Sequence, residues 1–164
     1  MKKIIVLCLL VFGKTLIAQN TSNSSFVGSW SLVSINNIYQ DGKRVQPYGE
    51  NPEGLLIFTE EGNYAIQILK KNRPLIVSGN KNTSTPEENA AIVKGFNSHY
   101  GEYVVDKENN TITFEILHAS FPNWEGKIQK RTYDYSNNVL KYVVTNTTQG
   151  GASVIAEVVW KRKS

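Results

Sequence analysis

From Phe26 onward the chain runs in short stretches of β-branched and aromatic residues broken by turn-forming clusters. Residues 27–39 alternate, with Trp30, Leu32 and Ile38 on one parity and Val33, Ile35 and Tyr39 on the other. Asp41-Gly42 marks a turn, and a Pro/Gly-rich loop over residues 47–54 leads to a second strand at Leu55–Thr59. Glu60-Glu61-Gly62-Asn63 is a hairpin signal, followed by a third strand at Tyr64–Leu69. Five more strands are expected at Gly101–Val105, Thr111–His118, Lys127–Tyr135, Leu140–Asn146 and Val154–Lys161. Between the third and fourth lies a long loop at 73–85 and one helix. Thr85 suits an N-cap, Pro86 the first helical position, and Glu87 and Glu88 the positive end of the helix dipole. That helix is predicted to run to Ser98. Eight strands joined mostly by hairpin-length turns, with one helix, predict an all-β antiparallel barrel or sandwich.

The first 18 residues follow a different pattern. Lys2 and Lys3 precede nine uninterrupted apolar residues, Ile4–Phe12, and Leu16-Ile17-Ala18 ends on a small residue. This layout predicts a secretory signal peptide over 1–18, a polar linker over 19–25 and a barrel domain over 26–164. The apolar run is about half the ~20 residues needed to span a bilayer, so no integral membrane segment is expected after cleavage. An exported protein, periplasmic or secreted, follows. The sole cysteine, Cys8, falls in the apolar run, which leaves the mature chain without a disulfide or a thiolate ligand.

Cleavage also changes the charge. The full chain carries +4, but loss of Lys2, Lys3 and Lys14 leaves 15 basic against 14 acidic residues. Three of those cations, Lys161-Arg162-Lys163, crowd the C-terminus. No basic stripe with interleaved aromatics remains, so nucleic acid is not an expected partner.

Gly28-Ser29-Trp30 opens the first strand and resembles the lipocalin signature, in which the indole closes one barrel end under a basic residue from the last strand. Lys161 or Arg162 can supply that cation. Further segments resemble the bacterial and fungal lipocalin-like domain family: Pro47-Tyr48-Gly49 with Gly54, Arg73-Pro74 with Ser78-Gly79, Thr85-Pro86-Glu87-Glu88, Tyr100-Gly101 with Tyr103, Phe121-Pro122-Asn123-Trp124 with Gly126, and Val159-Trp160. The resemblance spans nearly all of residues 26–162. It implies an up-and-down calycin-type barrel of about eight strands, with a helix over one end and an internal pocket. Many relatives carry a histidine in the strand before the Phe-Pro-Asn-Trp turn, where this chain has Phe114-Glu115, so a histidine-dependent role does not carry over.

The candidate site residues come from strand parity. His118 shares parity with Ile112, Phe114 and Ile116. If that face is inward, it is either a satisfied rim histidine or a ligand-contacting acid–base group. Glu115, on the opposite parity, is either solvated or, if buried, a second acid–base candidate. Gln67 sits mid-strand among apolar neighbours, where its amide satisfies the barrel's own polar groups or orients a ligand. Arg131 stacks on Tyr133 or Tyr135 toward solvent, or points inward as a cation for a carboxylate-bearing ligand. Asn123 and Trp124 form a packed turn or a gate over the cavity mouth. Tyr103 and Phe114 complete the expected ligand contacts, and His99 is expected to end the helix near its negative pole.

Three ligands at metal spacing, a phosphate-binding glycine loop and a nucleophile elbow do not occur, so no metal or cofactor is expected. The leading expectation is a protein that binds a small, largely apolar molecule in the barrel. The alternative is a cofactor-independent isomerase, cyclase or lyase in the same cavity, using His118, Glu115 or a tyrosine. A third is a protein- or glycan-binding module that presents Tyr39, Tyr48, Tyr133 and Tyr135 on its surface.

Overall fold

The computed structural model describes residues 25–145, 147 and 154–164. The expected signal segment, the linker up to Ser24 and the predicted strand end at Asn146 lie outside the described residues. Nine strands form one antiparallel sheet: β1 (Gly28–Ile38), β2 (Arg44–Val45), β3 (Glu53–Phe58), β4 (Asn63–Leu69), β5 (Phe96–Asp106), β6 (Thr111–Ala119), β7 (Ile128–Ser136), β8 (Val139–Val144) and β9 (Ile155–Arg162). Each of β3 to β9 pairs with its chain neighbour, and β9 returns to pair with β1. The result is a closed eight-stranded up-and-down barrel, with β2 as a two-residue strand added beside β1. Closure removes the exposed sheet edges on which antiparallel sheets aggregate. Outside the barrel, Glu157 on β9 pairs with Arg44 of β2 at 2.6 Å and with Lys141 of β8 at 2.8 Å.

Two β-bulges set which side chains face inward. In β1 the register against β9 shifts between Leu32 and Ser34. Trp30 and Leu32 are buried before the shift, Ile35 and Asn37 after it, and Val33 is left exposed. Both parities of this strand therefore contribute to the core, each over one half of its length. The second bulge lies where Gly101 pairs with Ile116 but Tyr100 pairs with His118, leaving Leu117 as the extra residue. A Cβ on Gly101 would stand 2.0 Å from the Glu115 carbonyl oxygen, so only glycine fits opposite this bulge.

The helix is shorter than predicted. α1 covers Pro86–Lys94, with Thr85 and Glu88 forming a capping box, and Gly95 caps its C-terminus. Phe96–Ser98 belong to β5 instead. Residues 97, 99, 101, 103 and 105 share a single alternation, and its burial against β4 and β6 outweighs the weak apolar face of the helix.

The two barrel ends differ. At one end the connections are tight: residues 59–62, 107–110 and 137–138, with Asn110, Asn137 and Asn138 at positive φ. Phe26 enters this end and meets Phe58, Tyr133 and Tyr135. Trp30 is fully buried, donates its indole N–H to the Phe26 carbonyl at 3.0 Å, and lies 4.3 Å beneath the Arg162 guanidinium. Arg162 in turn donates to the carbonyls of Val27 and Ser25. Gly28, at φ +126°, is the point where a Cβ would strike that guanidinium at 2.9 Å. At the other end the connections are longer: residues 70–95 with α1, the 120–127 turn, and the segment between β8 and β9.

Candidate ligand-binding site

The longer-looped end opens into a cavity of about 410 Å³, a size typical of small-molecule sites. Its apolar wall comes from inward positions of β1, β4, β8 and β9: Ile35, Ile68, Val144, Ala156 and Val158. Its polar groups come from β1, β5 and β7, namely Asn37, Asn97, His99, Gln129 and Arg131, together with Tyr48 from the β2–β3 loop and Tyr142 from β8.

Arg131 is the centre of this arrangement. It is 5% exposed, and its guanidinium carbon lies 4.4 Å from the Phe114 ring centroid and 4.8 Å from that of Tyr142. Nη2 donates to the Gln129 amide oxygen at 2.6 Å, while Nε has no hydrogen-bond partner. Cation–π contact holds the guanidinium plane in place. No Asp or Glu is among the described residues lining the cavity, so this cation has no counter-charge there.

His99 lies beside it on β5, buried, with Nδ1 2.8 Å from the Tyr64 hydroxyl. Burial, helped by the Arg131 charge, holds its pKa down to about 3, so the ring is neutral at neutral pH. Burial also pushes the Tyr64 hydroxyl above the usual phenol range. The Tyr64 hydroxyl and Nδ1 share one hydrogen bond, and in the tautomer with the His99 proton on Nε2 it is Tyr64 that donates. Asn97 donates from its amide to the Tyr48 hydroxyl. Trp124 stands at the mouth, edge-on to both His99 (5.7 Å) and Phe121 (5.6 Å).

The residues proposed from sequence distribute unevenly around this cavity. Arg131 and Trp124 line it, and Phe114 lies directly under the guanidinium. Tyr103 is buried but away from the cavity: it packs on Phe58 and donates to the Thr59 carbonyl at 2.9 Å, at the closed end. Gln67 faces outward, because the buried positions of β4 are Tyr64 and Ile66. Asn123 is exposed in its turn and does not line the cavity.

His118 also faces outward, with its side chain 64% exposed and 3.6 Å from Glu125. Its parity with Phe114 is real, but the Leu117 bulge reverses the phase between them. Glu115 is exposed as well, so neither acid–base candidate reaches the interior. His99 is mid-strand rather than at a helix end. Tyr48 is buried, and Tyr133 and Tyr135 turn inward against Phe26, so with Tyr39 they form no common outer patch.

Sequence reasoning missed Asn37, Tyr48, Tyr64, Asn97, His99, Gln129 and Tyr142. For Asn97 and His99 the signal was present. Counting back by twos from Tyr103 reaches both, once the helix is stopped at Gly95.

The sequence model of the lipocalin-like domain family matches residues 27–163. The chain belongs to that family. Among solved structures, it is similar to a lipocalin-like protein from Bacteroides uniformis, with 13% identity and a TM-score of 0.43, over 84% of this chain and 97% of that one. No curated protein matches the chain. The site is thus a lipocalin-like barrel interior, with Gly28, Trp30 and Arg162 closing one end and Trp124 beside the opening at the other. Among the described residues there is no cluster of three or more metal-ligating side chains, and no helix is long and apolar enough to cross a membrane.

Proposed function

We propose that this lipocalin-like protein binds a small, largely apolar molecule in its barrel, outside the cytoplasm. The observation that carries this reading is the cavity: about 410 Å³, open at one end and walled by Ile35, Ile68, Val144 and Val158. Transferring an apolar body from water onto such walls stabilises the complex in proportion to the area buried. Trp124 and Phe121 shield the mouth, and the polar groups of β1, β5 and β7 orient what enters. Two of the side chains offered for acid–base catalysis, His118 and Glu115, lie on the outer surface, which favours binding. The proposed export rests on the residue pattern of 1–18.

The test is uptake of the neutral dye N-phenyl-1-naphthylamine by the purified protein, with native mass spectrometry for any molecule that co-purifies. Saturable uptake at one site, abolished by Val158→Trp, is expected. A protein that takes up no dye and carries nothing overturns the reading. Export is tested separately, by the mass of the protein recovered from outside the cytoplasm. A chain beginning at Gln19 is the expected product, and an intact N-terminus in the cytoplasm would refute it.

A further inference from the structure

The apolar walls describe only part of the cavity. A guanidinium is costly to hold away from water unless something compensates its charge and its donors. Arg131 is nineteen-twentieths buried, yet it has one protein acceptor, Gln129, and an Nε that donates to nothing. Among the described residues the cavity offers it no carboxylate. His99, whose titration feels the Arg131 charge, is neutral, and among the described lining residues Lys130 adds a second positive charge at the exposed edge. Phe114 and Tyr142 hold the cation by their ring faces, which fixes its plane while supplying no acceptor for its N–H groups.

The neighbouring groups also supply donors. In the tautomer where Tyr64 donates to Nδ1, His99 has Nε2–H left over, and Asn37 is buried on the cavity wall with no side-chain hydrogen bond among the described residues. A set of donors around an uncompensated cation, beside an apolar wall, matches one ligand chemistry. That chemistry is an anionic head of planar, two-oxygen form on an apolar body.

We propose that the cavity selects a monocarboxylate amphiphile, whose carboxylate is held by Arg131 while its chain lies against Ile35, Ile68, Val144 and Val158. This rests on the binding function proposed above and narrows it to one substrate class. Arg131 supplies the charge and one or more N–H donors, and Gln129 keeps the guanidinium turned toward the cavity. A neutral molecule of the same shape fills the apolar wall but leaves the cation unmatched, so selectivity resides in the head group.

The experiment is competition against N-phenyl-1-naphthylamine at pH 7.5 with decanoate, decan-1-ol and methyl decanoate. The expected result is displacement by decanoate at a concentration at least tenfold lower than by either neutral analogue. Arg131→Met is expected to abolish that preference. Equal displacement by acid and alcohol, or a preference that survives in Arg131→Met, overturns the carboxylate assignment and leaves the apolar binding function standing. Failure of all three to displace, with no dye bound, overturns both.

A second measurement needs no variant. The 13C carboxyl resonance of [1-13C]decanoate on the wild-type protein is expected to titrate at least one pH unit below the free acid. A bound carboxyl whose midpoint is unchanged or raised refutes contact with the Arg131 charge.

Discussion

The two ends of the barrel each lay an arginine on an aromatic face, and the two arginines end in opposite states. Arg162 lies 4.3 Å over Trp30, with both terminal nitrogens donating to backbone carbonyls of the entering chain. Arg131 lies 4.4 Å over Phe114, with one side-chain acceptor, an orphaned Nε and a cavity in front of it. The stacking geometry is the same. What differs is whether the chain itself fills the space beside the cation. At the closed end, Ser25–Val27 fold across and supply the acceptors. At the open end no segment among the described residues does, and the compensation is left to what enters. A cation–π contact thus fixes a guanidinium in either setting, and only the accounting of its N–H groups separates a structural arginine from a binding one.

The contrast can be broken experimentally. Trp30→Ala, which empties the closed end of its largest buried ring, is expected to cost about 3–5 kcal/mol of stability, read by urea unfolding. A loss below about 1 kcal/mol would mean that this end is not a packed plug.

Arg162→Met strands the Val27 and Ser25 carbonyls and removes the cation above Trp30. It is expected to cost about 2 kcal/mol while leaving dye uptake intact. If this variant keeps its stability and loses dye uptake, the roles of the two ends are exchanged.

The open end carries a pH signature. His99 has its folded pKa lowered to about 3, while the unfolded chain titrates near 6.5. Below pH 6.5 the unfolded state therefore binds a proton that the native state refuses, and stability falls as pH falls across the interval from 6.5 to about 3. Between pH 7 and pH 5 this amounts to about 2 kcal/mol. Urea midpoints over that range check it, and His99→Gln is expected to flatten the slope. A wild-type slope already flat would place His99 in contact with water.

The smallest expected effect is the sharpest. Arg131→Met replaces an unmatched buried cation with an apolar side chain of similar length, and unfolding is expected to shift by less than about 1 kcal/mol in either direction. A loss comparable to that of Arg162→Met would mean that Arg131 holds the barrel together as its counterpart does.

Much of the scaffold was legible in the residue pattern. At the closed end, Gly28, Trp30 and a terminal cation were named together because the Gly-x-Trp opening resembles the lipocalin signature. The helix start at Thr85-Pro86 was legible because a capping box is written within four residues. The helix end was not. Asn97 and His99 look equally at home in a last helical turn or in a strand, and only pairing with β4 and β6 resolves them.

The open end was read less well, and the reason is the two bulges. Parity counting carries an inward face along a strand only while the ladder is regular. In β1 the bulge at Val33 moved Asn37 into the interior. In β6 the bulge at Leu117 turned His118 out of it. Each bulge is a property of a pair of strands, and one strand's residues do not declare it. Gly101 is the nearest thing to a written clue, because its missing Cβ makes room for the Glu115 carbonyl.

The alternation of apolar residues and the turn chemistry predict an eight-stranded antiparallel barrel or sandwich, because these are local signals repeated along the chain, and the resemblance of the motifs to the lipocalin-like family implied the barrel. Which side chains meet inside depends on register and closure between strands far apart in sequence. That is why Arg131, on a strand whose alternation left its direction open, became the centre of the cavity only once β7 was set between β6 and β8.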